Sequence, residues 1–337
     1  MPSRLKAFLQ YLLVLVVTVL LIWFSLRNLD VAEGEDKWSY LLKTWRAANK
    51  GWLIAMAAIM LVSHVVRAER WRMLMQPSGH ETTTGFSMLS LMVGYLVNLV
   101  IPRGGEISRC YNLYKLDKTP VDISFGTVIT ERIVDVVCLL TLIGLSFLIE
   151  SEKLLLFIDS LPIGSADSRL SAVFYAAVAL VAVIAMAIWF YKKNKRFRDF
   201  LLRTWTGFRI GLLSVFKLRR KWLFIFYSVL IWVLYYFTSY AVINAFPETR
   251  HLGFDAMLSL FAIGSIAMAA PLPGGTGSYH VLVPQGLVFL YGISPADAVA
   301  FVFVFHGWQT LMMIVGGAVS LIITSVIVKK NAARPGL

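Results

Sequence analysis

The sequence predicts an all-α polytopic membrane protein, with about six spanning helices and two re-entrant helical hairpins in an inverted repeat. Three observations predict it. Apolar residues make up 58% of the 337 positions and charged residues only 15%, and several apolar runs reach the roughly 17–25 residues that a spanning helix needs. One short segment occurs twice, each time inside an apolar stretch and each time ending in glycines. It runs Met88-Leu89-Ser90-Leu91, Gly94, Pro102-Arg103-Gly104-Gly105 in the first copy and Met257-Leu258-Ser259-Leu260, Gly264, Pro271-Leu272-Pro273-Gly274-Gly275 in the second. The charges of the loops, finally, forbid either copy a single crossing.

The elements follow in chain order. The run 8–26 comes after Arg4 and Lys6. It is too long for a signal h-region and no small-x-small cleavage site follows it, so it reads as a retained anchor with a cytoplasmic N-terminus. The run 52–66 returns to the cytoplasm, where Arg67, Arg70 and Arg72 flank Trp71 as a topology and interface anchor; His64 reads as a packing residue. Further spans are expected at 126–149, 172–189, 222–245 and 296–328. The glycine-broken runs 85–101 and 254–270 are borderline for a full crossing.

The strongest topological marker is the segment 192–221, which holds eleven Lys and Arg against the single acid Asp199. Such an excess belongs in the cytoplasm. Phe197, Phe200, Leu201, Trp205, Phe208, Leu212 and Phe216 recur there at roughly helical spacing, as in a basic amphipathic helix resting on anionic lipid. Residues 150–170 carry four acids and two bases and suit the outside. The stretch 85–118 then starts and ends inside, and 254–294 starts and ends outside, because Lys329-Lys330 places the C-terminus in the cytoplasm. Each is therefore a hairpin, and the two enter from opposite faces. Irregular backbone at that depth survives only when buried in protein or lining a wet cavity.

One transmembrane domain over 1–337 is expected, with repeat halves at 52–149 and 222–328. The helix starts that follow the hairpins share one grammar. Thr119-Pro120-Val121-Asp122 and Ser294-Pro295-Ala296-Asp297 each pair a hydroxyl N-cap with Pro in the first turn and an acid facing the helix dipole.

The net charge of +13 does not mark a nucleic-acid partner, since most of the excess sits in the one basic segment. Cys110 and Cys138 match no metal, redox or disulfide spacing. There is no Walker A pattern, HExxH or paired CxxC, so no cofactor, metal or ATP hydrolysis is expected. No nucleophile–base pair is recognisable, and the chain is not expected to be an enzyme.

The ionisable residues concentrate around the first hairpin. Arg103 lies in its turn, Glu106 and Arg109 follow at i, i+3, and Glu131, Arg132 and Asp135 come early in the next helix. Charges at this depth are expensive and face a bundle interior or a wet cavity. A helix from 120 to 149 is about 44 Å long, which would leave Glu131 and Arg132 near the cytoplasmic interface and Asp135 deeper. Two readings stand side by side: an ion-pair network that holds hairpin to helix, and a polar lining that accepts an anionic lipid head group through its arginines. The second hairpin carries no formal charge. Gly274, Gly275 and Gly277 either present backbone N–H groups to an anion or permit tight packing. His280 and His306 are packing residues or titrating ones, and by the repeat His306 stands where Glu131 stands.

These motifs together resemble those of the lysylphosphatidylglycerol synthase transmembrane, or flippase-like, family of bacterial inner-membrane proteins. The resemblance rests on Pro102-Arg103-x-Gly105-Glu106-x-x-Arg109, Glu131-Arg132-x-x-Asp135 and Pro271-x-Pro273-Gly274-Gly275-x-Gly277, and covers nearly the whole chain. It implies translocation of an anionic or polyprenyl-phosphate-type lipid between leaflets of the inner membrane, with an intramembrane lipid-modifying transferase as the alternative. The sequence ends soon after Lys329-Lys330, so the soluble synthase domain, and with it aminoacylation, is expected to be absent. The family's second motif often ends in an acid where His280 stands, and its last helix often carries Arg near His306. Both departures bear on which lipid is taken.

Overall fold

The computed structural model describes residues 36–160, 218–269 and 275–332, together with isolated positions elsewhere. The expected spans at 8–26 and 172–189 and most of the basic segment 192–221 lie outside the described residues. Within them the chain forms nine α-helices and no strand. Four are long and apolar enough to cross a membrane: Lys50–Ser78, Val121–Phe157, Lys221–Ala245 and Pro295–Asn331. The protein is an all-α polytopic membrane protein.

Helix α1 (Lys37–Ala47) is capped by Asp36, whose carboxylate accepts the backbone N–H groups of Trp38 and Ser39. The sequence reading did not anticipate it, although Trp38, Leu41, Leu42 and Trp45 recur at helical spacing. Helix α2 (Lys50–Met75) starts on the Asn49 cap. It runs well past Val66, so Arg67, Arg70 and Arg72 sit inside the helix instead of flanking its end. A short 3₁₀ turn, Gln76–Ser78, closes it with Gly79 in the left-handed conformation.

The first hairpin is α3 (Thr84–Asn98) and α4 (Gly104–Asp117). Each helix is about 21–23 Å long, short of the roughly 30 Å hydrocarbon core. The two lie antiparallel: Gly105 N–H donates to Asn98 Oδ1 at 2.7 Å near the tip, and Asn112 Nδ2 to Ser90 Oγ at 3.2 Å further down. Close approach is what the glycines provide. A Cβ on Gly105 would collide with the carbonyl oxygen of Gly94, and one on Gly94 would lie 2.8 Å from that of Gly105.

Helix α5 runs Val121–Ser160, beyond the expected end at 149. It kinks at Glu150 (φ −129°, ψ 43°). The kink has a visible cause: Ser259 Oγ at 2.5 Å and Tyr291 Oη at 2.8 Å both donate to the Glu150 carboxylate, drawing it onto the second hairpin. Glu150 is thus 8% exposed and internal, where the sequence placed it in an outer loop.

The second half repeats the order. Helix α6 (Lys221–Ala245) precedes a hairpin of α7 (Phe254–Ala269) and α8 (Ser278–Tyr291), and α9 (Pro295–Ala332) follows. The Ser294 hydroxyl accepts from Asp297 N–H at 3.2 Å, the expected cap.

The halves interlock. Helices α2 and α6 pack along their lengths and run antiparallel, since Asn49 N–H meets the Ala245 carbonyl at one end and Arg70 meets Ser228 at the other. Helix α9 packs on α3, and α5 packs on α7, so each half's last helix covers the other half's hairpin. The largest apolar cluster joins α2, the second hairpin and α9 around Leu53, Met56, Phe246, Met257 and Leu287.

Candidate functional site

Where α2, α4 and α5 meet, four guanidiniums face three carboxylates. Glu131 is fully buried and central. Its Oε1 lies 2.6 Å from Arg67 Nη2 and 3.4 Å from Arg70 Nη2, and its Oε2 accepts from Arg109 Nη2 at 2.9 Å. One turn on, Asp135 takes Arg67 at 2.8 Å and Arg70 at 2.7 Å. Arg132 closes the outer edge, with its Nε donating to Glu106 Oε1 at 2.7 Å and its Nη1 3.7 Å from Asp135. The i, i+4 spacing of Glu131 and Asp135 is what lets one pair of arginines bridge both acids.

Glu131 is the more buried acid and Asp135 is 13% exposed, because the α2 arginines cover Glu131 directly. Arg67 lies about 12 Å from the end of α2, at 1.5 Å per residue, so it belongs to the body of the helix. Arg67 and Arg70 are 6% and 0% exposed. They form the heart of the network, and reading them as interface anchors was incorrect. The signal was available: Arg67 and Arg70 share a face at i, i+3, as an intramembrane pair facing two acids would.

Of the residues singled out in sequence, Glu106, Arg109, Glu131, Arg132 and Asp135 come together. Arg103 does not join them; it is exposed at the start of α4, in a left-handed conformation (φ 60°). Gly104 and Gly105 serve the hairpin packing. In the second hairpin Pro273 and Gly274 lie outside the described residues. Gly275 (φ 72°) abuts Met268, which favours packing at that position, and Gly277 (φ 103°) begins α8. His280 and His306 are buried edge to face with ring centroids 4.8 Å apart.

The two halves place different chemistry at matching positions. Arg109 and Tyr279 follow Gly94 and Gly264 at the same spacing. A Cβ on Gly94 would lie 3.2 Å from Arg109 Cβ, and one on Gly264 would lie 3.0 Å from the Tyr279 ring. Arg109 then pairs with Glu131, whereas Tyr279 stacks on His306 at 5.5 Å.

A cavity of about 450 Å³ opens beside the charged cluster. Arg67, Arg132 and Asp135 line one side, Met257, Phe261, Phe301 and Phe305 the apolar side, and Thr238, Ser239, Ser265 and Gln309 add neutral polar groups. Val136 on α5 and Met268 on α7 line it and are also 52% and 39% exposed. The cavity therefore reaches the outer, lipid-facing surface. Helices α5 and α7 touch further along, where Ser146 Oγ donates to the Leu258 carbonyl at 3.3 Å.

The profile of the lysylphosphatidylglycerol synthase TM region matches residues 11–317. The chain belongs to this family. An UPF0104 membrane protein of Methanocaldococcus jannaschii is 28% identical over 105 residues, 30% of this chain and 30% of that protein. The glycosyltransferase AglD of Haloferax volcanii is 24% identical over 309 residues, 82% of this chain and 49% of that protein. The chain thus spans less than half the length of these relatives. No solved structure matches it significantly.

Proposed function

We propose that the protein moves an anionic lipid, such as a phospholipid or a polyprenyl-phosphate-type lipid, between the leaflets of the cytoplasmic membrane. The observation that carries this reading is the amphiphilic cavity. It has arginines on one side, an apolar wall on the other, helices of both halves around it and an outlet between α5 and α7. A lipid has the same division: the phosphate suits the arginines, while the chains stay in the bilayer. With four guanidiniums against three carboxylates the cluster keeps one positive charge in excess, which a phosphate would balance. Hairpins entering from opposite faces would gate the cavity toward one leaflet at a time.

Family membership supports a lipid-related role. The name of the Haloferax relative supports the rival reading, in which the chain serves transfer of a group onto a membrane lipid. Reconstitution in liposomes with labelled phospholipids and polyprenyl phosphates separates the two. Protein-dependent leaflet exchange is the expected result. Absence of exchange for every anionic lipid would refute it, and a chemically new lipid in the mass spectrum would establish the rival.

A further inference from the structure

Helix α5 is divided at Glu150, and its two parts belong to different neighbours. Before the kink, Glu131, Arg132 and Asp135 tie the helix to α2 and α4. After it, Leu154 and Phe157 are each 5% exposed and join the apolar cluster of the second hairpin. The Phe157 ring lies 6.2 Å from that of Phe289 on α8. Glu150 is where the backbone between these parts leaves helical φ and ψ. A residue that absorbs a backbone change between two packed bodies is what a hinge requires.

The side chain of the same residue is the fastening. One carboxylate oxygen, Oε2, accepts from Ser259 Oγ on α7 at 2.5 Å and from Tyr291 Oη on α8 at 2.8 Å. The other accepts from Lys153 Nζ at 2.7 Å, and that ammonium lies 5.3 Å from the centre of the Tyr291 ring. Ser259 is fully buried. Its counterpart in the first copy of the repeated segment, Ser90, accepts from Asn112 within its own hairpin, whereas Ser259 reaches out of its hairpin to α5.

The joint sits on the seam beside the cavity. Val136 and Leu139 on α5 and Ser265 and Met268 on α7 line the cavity from the two sides of that seam. Toward Glu150 the seam closes: Ser146 Oγ meets the Leu258 carbonyl at 3.3 Å, and Glu150 takes the next residue, Ser259. Arg132 and Glu150 lie about 27 Å apart along α5, at 1.5 Å per residue, so the charged end and the fastened end of the seam are well separated.

We infer that Glu150, Ser259 and Tyr291 form the latch of a lateral gate. While it is fastened, α5 stays on the second hairpin and the cavity is closed at this end; its release lets the seam between α5 and α7 part about Glu150. The inference rests on the transport reading for what passes the gate, but the latch is tested without it.

The experiment places cysteines at Ser146 and Leu258 in the full chain, with Cys110 and Cys138 replaced, and follows their cross-linking by a short bifunctional thiosulfonate in liposomes. Glu150→Ala removes the acceptor and is expected to slow cross-linking about five-fold or more, the population shift that loss of one hydrogen bond produces. Glu150→Gln keeps an oxygen for both hydroxyls and is expected to cross-link like the parent. Ser259→Ala combined with Tyr291→Phe leaves the carboxylate in place and should match Glu150→Ala. Unchanged or faster cross-linking in the double variant, or equal slowing by Glu150→Gln, overturns the inference. In the parent, cross-linking is expected to stop leaflet exchange of labelled phosphatidylglycerol, and reduction to restore it. Exchange undiminished by the cross-link overturns the gate and leaves transport standing. A latch that responds as expected in a parent that moves no anionic lipid supports the hinge and refutes transport.

Discussion

Replacing Glu131 by Gln is the sharpest test of the charged cluster. The change keeps size and removes one charge, raising the excess in the network from one positive charge to two. Arg67 and Arg70 retain Asp135, but Arg109 has no other carboxylate within 4.0 Å among the described residues and keeps only the Trp71 ring, 4.7 Å from its guanidinium carbon. Removing one partner of a buried ion pair costs about 3–5 kcal/mol, since the remaining charge stays out of water. Glu106→Gln provides the contrast. Its partner Arg132 is 43% exposed and Glu106 itself 27%, so water screens the pair and the cost should stay below about 1 kcal/mol. Thermal unfolding in detergent measures both. At roughly 2–4 °C per kcal/mol, Glu131→Gln should unfold on the order of 10 °C lower and Glu106→Gln within a few degrees of the parent. A double-mutant cycle with Arg109→Gln should then show a coupling of about 1 kcal/mol or more. Equal effects of the two glutamate variants, or no coupling, would refute the assignment of Glu131 as the centre of the network.

Gly105→Ala should abolish a monodisperse preparation, because its Cβ would strike the Gly94 carbonyl, whereas Gly144→Ala, with open space around it, should hold or raise stability by up to about 1 kcal/mol; size-exclusion profiles and unfolding curves report on both. Glu150→Ala strips the acceptor from the Ser259 and Tyr291 hydroxyls and should cost about 2 kcal/mol by thermal unfolding. Lys153→Ala should cost little, since that side chain is 50% exposed. For topology, single cysteines at Glu81 and Lys118 should label with a membrane-impermeant maleimide from the cytoplasmic side and those at His251 and Ser294 from the other, after Cys110 and Cys138 are replaced; labelling of all four from one side would reject opposed hairpins.

The four spans within the described residues and the paired short helices were legible because apolar run length and glycine spacing are local properties. The Gly94 and Gly105 pair could be foreseen as a break, and its reason, backbone meeting backbone, became visible only with α3 and α4 side by side. The site was half legible. Arg109, Glu131 and Asp135 announce themselves as charges in apolar sequence, whereas Arg67 and Arg70 looked like the basic flank of a span that seemed to end at Val66. Glu150 was hidden for the same reason, since an acid at the edge of an apolar run gives no sign that Ser259 and Tyr291 wait for it.

The two hairpins and the helices that follow them offer two similar frames, filled unequally. Between α4 and α5 the frame holds Arg109 and Glu131; between α8 and α9 it holds Tyr279 stacked on His306. A frame need not be charged to hold its helices together, since among the described residues no ion pair joins α8 to α9. The charges of the first half therefore ask for a role beyond cohesion, and their position at one side of the cavity supplies one. A lipid phosphate, on the proposed reading, would meet the excess positive charge there. On the opposite side Tyr279, Phe301 and Phe305 offer an apolar surface with a few hydroxyls. In a translocator with this arrangement the head group is held on the side of the first hairpin and released past the second. On that reading the arginine side of the cavity would set the substrate.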